Sequence, residues 1–243
     1  MVPLVVVCVA GVMIVCERMR PGRSWPQVAG WWVRALALNA AQVGAVFLAG
    51  VAWDGWMLSH RPWSADSLGA VPGALLGYVV ITFVYYWWHR WRHECSLLWR
   101  WFHQVHHSPQ RIEVVTSFYK HPLELVANGL LSSAIVYLVV GLGPAAASYA
   151  VMLTGLAELF YHWNVRTPHW LGWIIQRPES HCIHHQAGVH AYNYADLPLW
   201  DALFGTFRNP HAFDDRCGFG PDECHLGTML RGVDLARARP ILG

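Results

Sequence analysis

A series of four or five apolar runs fills the first two thirds of the chain, covering residues 2–16, 31–53, 69–88, 123–140 and 144–161. A helix needs about 20 predominantly apolar residues to cross the hydrocarbon core of a bilayer, and most of these runs approach that length. With 55% hydrophobic residues, 13% charged residues and a mean hydropathy of +0.27, the composition also exceeds what a water-soluble domain of 243 residues requires. Trp25, Trp31, Trp32, Trp53, Trp56, Trp63, Trp87 and Trp88 stand at or near the ends of these runs, where an amphipathic ring suits the headgroup layer. The expected fold is therefore all-α: a polytopic transmembrane helix bundle.

The first run has only 15 residues. A cleaved signal would carry positive charge ahead of its apolar stretch, whereas Arg18, Arg20 and Arg23 follow it here, so a retained anchor is expected. Arg34, Asn39 and Gln42 inside the second run are costly against lipid and should face neighbouring helices or the interface. GLGP at 141–144 separates the last two runs, and Pro144 suits a first helical turn after a Gly-rich break, which predicts an antiparallel hairpin. The arginines after the first run mark a cytoplasmic loop. Counting spans from there places residues 89–122 and 162–243 on that same side. Three regions are expected: an N-terminal transmembrane region over 1–68, a catalytic region over 69–210 and a cytosolic tail over 211–243.

A net charge of +2 with scattered arginines gives no nucleic-acid footprint. The six cysteines form no CxxC pair, so neither a disulfide framework nor a structural zinc site is indicated.

What remains unexplained is histidine. Most of the 15 fall in three patterned groups, HRWRH at 89–93, HQVHH at 103–107 and HCIHH at 181–185. Residues three or four apart share a helix face, so His89 with His93, and the members of each HxxHH group, can present several imidazoles to one point. Eight neutral imidazoles crowded together without a cation would desolvate one another and compete for few donors. Metal binding follows. An all-imidazole set suits iron, zinc, copper or nickel rather than magnesium or calcium, and eight ligands exceed the capacity of one ion, so two are expected. A dinuclear site at a membrane face suits oxygen activation by iron and attack on a lipid C–H bond. His60, His169, His211 and His225 stand outside the pattern and are read as ordinary interfacial or hydrogen-bonded residues.

The order HxxxH, HxxHH, HxxHH resembles the fatty acid hydroxylase/sterol desaturase superfamily of membrane-bound non-haem di-iron oxygenases. The likeness runs from about Trp87 to Thr206 and includes Leu98-Trp99-Arg100, Ser108, His121-Pro122, His162-Trp163-Asn164 and NYADLPLWDALFGTF at 193–207. It implies two iron ions held in a cytosolic helical layer by His89, His93, His103, His106, His107, His181, His184 and His185, with His162 as a ninth ligand. O2 would be the oxidant and electrons would come from outside. Glu94, directly after the first box, becomes a candidate for orienting a ligand imidazole; Asn164, Asn193 and Asp201 are candidates for the same supporting role, and His121 either closes the site or caps a helix. Ala195 stands where the family has glycine, and a left-handed backbone there would be strained for alanine. Cys182, inside the third box, should point away from the metals.

The expected function is hydroxylation of a sterol, fatty acyl or related lipid that enters from the bilayer. No GxGxxG fingerprint, cysteine cluster or haem-binding HPGG segment occurs, so a separate reductase with ferredoxin or cytochrome is the expected electron donor. A desaturase is the alternative within the same chemistry. A metal transporter is the alternative from another class, but it should carry ionisable residues within its spans, whereas these histidines follow the spans. The Arg-to-Lys ratio of 16 to 1 points to a GC-rich genome and a bacterial inner membrane.

Overall fold

The computed structural model describes residues 2–236. The chain is helical throughout, with one isolated bridge, Gln186 to Cys217, as its only extended pairing among the described residues. Helix α1 spans Val2–Met19 and α2 Trp31–Ala49. A π-helical turn at Gly50–Asp54 joins α2 to α3, Gly55–Ser59, so Trp31–Ser59 runs as one helix of 29 residues, about 43 Å long at 1.5 Å per residue. It ends beyond the expected 53 because the π turn absorbs an extra residue without breaking the helix. After α4, Ala70–Glu94, come the short α5, Ser96–Leu98, and α6, Gln104–His107. Helix α7, Pro122–Ser133, continues through a π-helical segment to Val139, and α8 spans Pro144–His162. Three small helices follow: α9 at Pro178–His184, α10 at Pro198–Leu203 and α11 at Leu226–Met229. Helices α7, α8, α9 and α10 each begin at a proline, whose fixed φ and missing N–H suit the first helical position.

Among the described residues, three helices are long and apolar enough to cross a membrane: Trp31–Ser59, Ala70–Glu94 and Pro122–Val139. Helices α1 and α8 run alongside them. The five segments share two ends. At one end the Ala65 amide donates to the Gly141 carbonyl at 2.8 Å and Trp63 Nε1 to Val140 at 3.3 Å, joining the turn after α3 to the α7–α8 hairpin. At the other, Glu17 near the end of α1 accepts from the amides of Val114 and Asn164, and Arg18 and Arg23 pair with Glu113 and Glu179. The C-terminal ends of α1, α4 and α8 therefore lie together, and this is the histidine-bearing end.

The central contact is α4 against α8. Gly73 and Gly77 of the GALLG stretch face Ala146 and Ala150, and a Cβ placed on Gly77 would stand 2.7 Å from Leu142 Cδ1 and 3.0 Å from Ala150 Cβ. Small residues four apart let the two backbones approach closely, which is how helices associate where lipid removes the hydrophobic drive. Around them pack Ile81, Ile135, Val136 and Leu142.

The C-terminal segment does not trail away. Phe213 and Cys217 pack on Ile112 and Cys182, while Met229 is buried with Trp31, Val105 and Tyr119. Gly218, at φ +75°, presses so closely on the Ser108–Pro109 backbone that a Cβ would lie 2.3 Å from the Pro109 carbonyl oxygen. Residues 213–229 thus form a lid over the two HxxHH segments.

Candidate metal centre

Each histidine arrives on a different local device. His89 and His93 occupy the last turns of α4. His103 closes a π-helical turn, Trp99–His103, and leads into α6, which carries His106 and His107. His162 ends α8. Helix α9 supplies His181 and His184, with His185 directly after its last turn. The nine rings converge into two groups: His89, His93, His103, His107 and His184 in one, His106, His162, His181 and His185 in the other, with the candidate ligand nitrogens of each group within 4.8 Å of one another. Both HxxHH segments are split between the groups. In each, the first and last histidines serve one group and the middle one serves the other, because i and i+4 lie on one side of a helix while i+3 is rotated away.

The nitrogen spacing identifies what these groups can hold. Nε2 of His103 stands 2.8 Å from Nε2 of His89 and 3.1 Å from that of His107. Nε2 of His181 stands 3.0 Å from those of His162 and His185. Imidazole nitrogens about 2.1 Å from a shared ion and at right angles to one another are about 3.0 Å apart. Hydrogen bonds alone do not satisfy the arrangement, since the buried ring atoms His93 Nε2, His106 Nδ1, His184 Nε2 and His185 Nδ1 have no hydrogen-bond partner among the described residues, a costly condition unless a ligand completes it.

The opposite ring nitrogens are held from outside. His89 Nδ1 donates to the Tyr194 carbonyl at 2.7 Å, His184 Nδ1 to Tyr192 at 2.7 Å and His162 Nδ1 to Glu158 at 2.8 Å. A proton fixed on Nδ1 leaves Nε2 free to face inward. Burial, reinforced by the neighbouring histidines, holds His103, His106, His107, His181 and His185 well below the ordinary imidazole range, and burial takes His184 down to about 3. Neutral imidazole is the form that binds metal. The donor set fits a pair of transition-metal ions, and hard cations such as magnesium or calcium are a poor match.

The supporting residues differ from expectation in part. Glu94 turns outward, where it pairs with Arg90 at 2.7 Å with its side chain 53% exposed. The orienting carboxylate is Glu124, on the first turn of α7: fully buried, it pairs with Arg92 and lies 3.1 Å from His103 Nδ1. His121 caps α7, accepting from the Leu123 amide through Nδ1 and donating from Nε2 to the Leu230 carbonyl, and it belongs to neither group. Asn164 clamps the backbone of Arg23 in both directions at 2.9 Å, tying α1's exit to the end of α8. Asn193 and Asp201 brace the loop whose carbonyls hold His89 and His184: Asn193 bonds Ser180 and Arg208, and Asp201, pushed up to about 6 by burial, accepts from the amides of Tyr194 and Ala195. Left-handed backbone occurs at His190, Tyr192 and Asn193 and not at Ala195, so alanine there is unstrained. Cys182 packs against Cys217 and Ile112, away from the rings. His190 was not anticipated. It lies 3.2 Å from His107 through the two Nδ1 atoms and packs at a tilt against Trp99, and its isolation from the three boxes left no spacing signal.

The fatty acid hydroxylase family profile matches residues 74–206, which contain all nine histidines. Alkylglycerol monooxygenase of Homo sapiens is 29% identical over 162 residues, covering 64% of this chain and 34% of that protein. Ornithine lipid hydroxylase OlsE of Rhizobium tropici is 34% identical over 141 residues, 56% of this chain and 42% of that one. Sphinganine C4-monooxygenase 1 of Arabidopsis thaliana is 25% identical over 135 residues, 54% and 52% of the two chains. The chain spans about a third of the length of the alkylglycerol monooxygenases it matches. No solved structure matches it.

Proposed function

The chain belongs to the fatty acid hydroxylase family, and from that premise we propose that it is a membrane-bound non-haem di-iron oxygenase that places a hydroxyl group on a lipid. The observation that carries the reading is the partition of nine neutral imidazoles, seven buried and two half-buried, into two groups, with the Nε2 atoms of His89, His103 and His107 in one and of His162, His181 and His185 in the other spaced at 2.8–3.1 Å from their neighbours. His89, His93, His103, His107 and His184 would hold one ion, and His106, His162, His181 and His185 the other. When bound, the iron pair supplies what side chains lack, reduction of O2 to an oxidant strong enough for an unactivated C–H bond.

The chain's own residues set the conditions for that chemistry. Tyr192, Tyr194 and Glu158 carbonyls and the Glu124 carboxylate fix the rings, and the packed segment 213–229 screens the HxxHH helices from water. The overall balance is RH + O2 + 2 e⁻ + 2 H⁺ → ROH + H2O. The two electrons come from a separate carrier, a reductase with ferredoxin or cytochrome. Arg18 and Arg23, at the histidine end, support a cytoplasmic active site under the positive-inside rule, and a bacterial inner membrane is the proposed location. The relatives named for alkylglycerol, ornithine lipid and sphinganine support a lipid substrate.

The test is lipid analysis of a host expressing the chain under 18O2. A product gaining one labelled oxygen, absent with His106→Ala, is the expected result. A product lacking two hydrogens with no label would establish the desaturase instead, and no difference between wild type and His106→Ala would end the enzymatic reading.

A further inference from the structure

His190 belongs to neither ligand group, yet its ring and its backbone are both turned toward the first. It stands in the turn after α9, where its amide and that of Val189 donate to the Gln186 carbonyl, and its backbone is left-handed at φ +41°. Non-glycine residues persist in that region only where their surroundings hold them, and they gather at functional sites. Here the His190 carbonyl serves as an acceptor beside the His93 ring, and the side chain meets His107, Nδ1 to Nδ1, at 3.2 Å. The imidazole packs against Trp99, at 5.7 Å between ring centroids, and against Phe219 of the lid, edge-on at 5.4 Å.

His107 is fully buried, and its two nitrogens have different partners. Its Nε2 stands 3.1 Å from Nε2 of His103 and faces the first group, so in the metal-binding form the ring carries its proton on Nδ1. Among the described residues, the one hydrogen-bond partner of that nitrogen is His190. His107 therefore donates, and His190 accepts through Nδ1 with its own proton on Nε2. Other rings of the group lean on oxygen: His89 and His184 on the carbonyls of Tyr194 and Tyr192, His103 on the Glu124 carboxylate. His107 leans on a nitrogen. Without that acceptor its buried N–H would be left unpaired, and the tautomer that presents Nε2 to the ion would lose its support.

Resting on the reading of the first group as a metal site, we propose that His190 is a positioning residue for that ion: its Nδ1 fixes the tautomer and orientation of His107. Loss of such a partner typically lowers metal affinity about 10- to 100-fold.

The test titrates the metal-stripped full chain, in lipid nanodiscs, with Co(II) against a competing chelator. His190→Asn places an amide oxygen where Nδ1 stands and tolerates a left-handed backbone. His190→Phe keeps a ring against Trp99 and Phe219 but offers no acceptor, and His190→Gly relieves the backbone while removing the ring. Co(II) affinity should fall about 10- to 100-fold in His190→Phe and His190→Gly, and by no more than about threefold in His190→Asn. A packing role predicts the opposite order, with His190→Phe close to wild type and His190→Asn impaired; that result, or wild-type affinity in His190→Gly, overturns the assignment. Should His190→Phe fail to fold, the His190→Gly and His190→Asn pair carries the comparison. The proton NMR spectrum of the Co(II) protein adds a signature that packing alone does not move. The hyperfine-shifted, exchangeable N–H resonance of His107 should appear in wild type and His190→Asn and vanish in His190→Phe; its persistence there counts against the role. Product analysis under 18O2 keeps the two readings apart. This order of affinities in a chain that oxygenates no lipid would support His190 and end the oxygenase, whereas an oxygenating chain whose Co(II) affinity ignores all three substitutions would do the reverse.

Discussion

Of the two glutamates near the first histidine box, the one adjacent in sequence faces solvent and the distant one holds a ring. Helical geometry requires this. Glu94 follows His93 by one residue and is rotated by about 100° around the axis, so a ligand's immediate neighbour points away from the metal. Support must come from another element, and α7 provides it through Glu124. That contact was not legible because it links residues that only the packing of α7 against the 99–103 turn brings together. Glu124→Ala should lower metal affinity about 10- to 100-fold, with Glu124→Asp intermediate, as read by metal analysis of the purified protein. It also leaves Arg92 buried and unpaired, which costs about 3 to 5 kcal/mol in comparable cases. Glu94→Gln should change neither metal content nor melting temperature. The buried imidazoles carry a second consequence. His184 and His190 are held down to about 3 and about 4 by burial, whereas an unfolded histidine titrates near about 6.5. Below that value the unfolded chain takes up protons that the folded one refuses, so stability is fully present above about pH 6.5 and declines as pH falls toward 4. The melting temperature of metal-free protein should hold from pH 7.5 to about 6.5 and drop from there to pH 5; a flat profile throughout would show that these rings are not buried in the neutral form.

Helices were legible where their own residues announce them. The apolar runs, the proline start at Pro144 and the histidine spacings all survive as α4, α7, α8 and α9. The π turns at 50–54, 99–103 and 134–139 were not visible, since a π turn is an accommodation to packing and has no residue signature of its own. One of them sets the site: it delivers His103 at φ −138°, off the regular helical path, so that His103 and His107 reach the same group as His89. The partition of each HxxHH segment follows from helical period once an HxxHH helix is known to lie between two ions. Without a partner helix in place, the spacing alone fits one ion equally well. The α4–α8 contact offers an element-scale test. The Cβ of Gly77→Ala would stand 2.7 Å from Leu142 Cδ1 and 3.0 Å from Ala150 Cβ, and overpacking of this kind costs about 1 to 3 kcal/mol. Gly77→Val should cost more than Gly77→Ala, and both should lower the melting temperature before they alter metal content, because Gly77 lies three turns below His89. Gly11→Ala, in open space, is the matched control.

At the scale of the molecule, counting apolar runs led to the expectation that residues 89–107 and 181–185 meet, and their histidines do come together in two shared groups. The lid was not readable. Polarity suggested a tail over 211–243, yet Met229 and Glu223 are buried within it, and Glu223 pairs with Arg34 at 3.0 Å, binding the C-terminal segment to the start of α2. Polar composition there reflects ion pairs made across elements, which hydropathy cannot distinguish from exposure. Residues 237–243 lie outside the described residues. The same interlocking governs metal removal. Because both HxxHH segments serve both groups, emptying one should disorder helices that the other also needs. His103→Ala and His181→Ala each remove a ligand from a different group, so independent sites would predict loss of about one ion per chain in each variant. The shared helices predict loss of more than one in both. Chelation should then remove the two ions in one step, lowering the melting temperature together with them, since ligands bound to the folded state at a hundred times their dissociation constant contribute about 2.7 kcal/mol each. Two resolved steps of metal loss, with an intermediate holding one ion at an unchanged melting temperature, would show instead that the groups fold and fill separately.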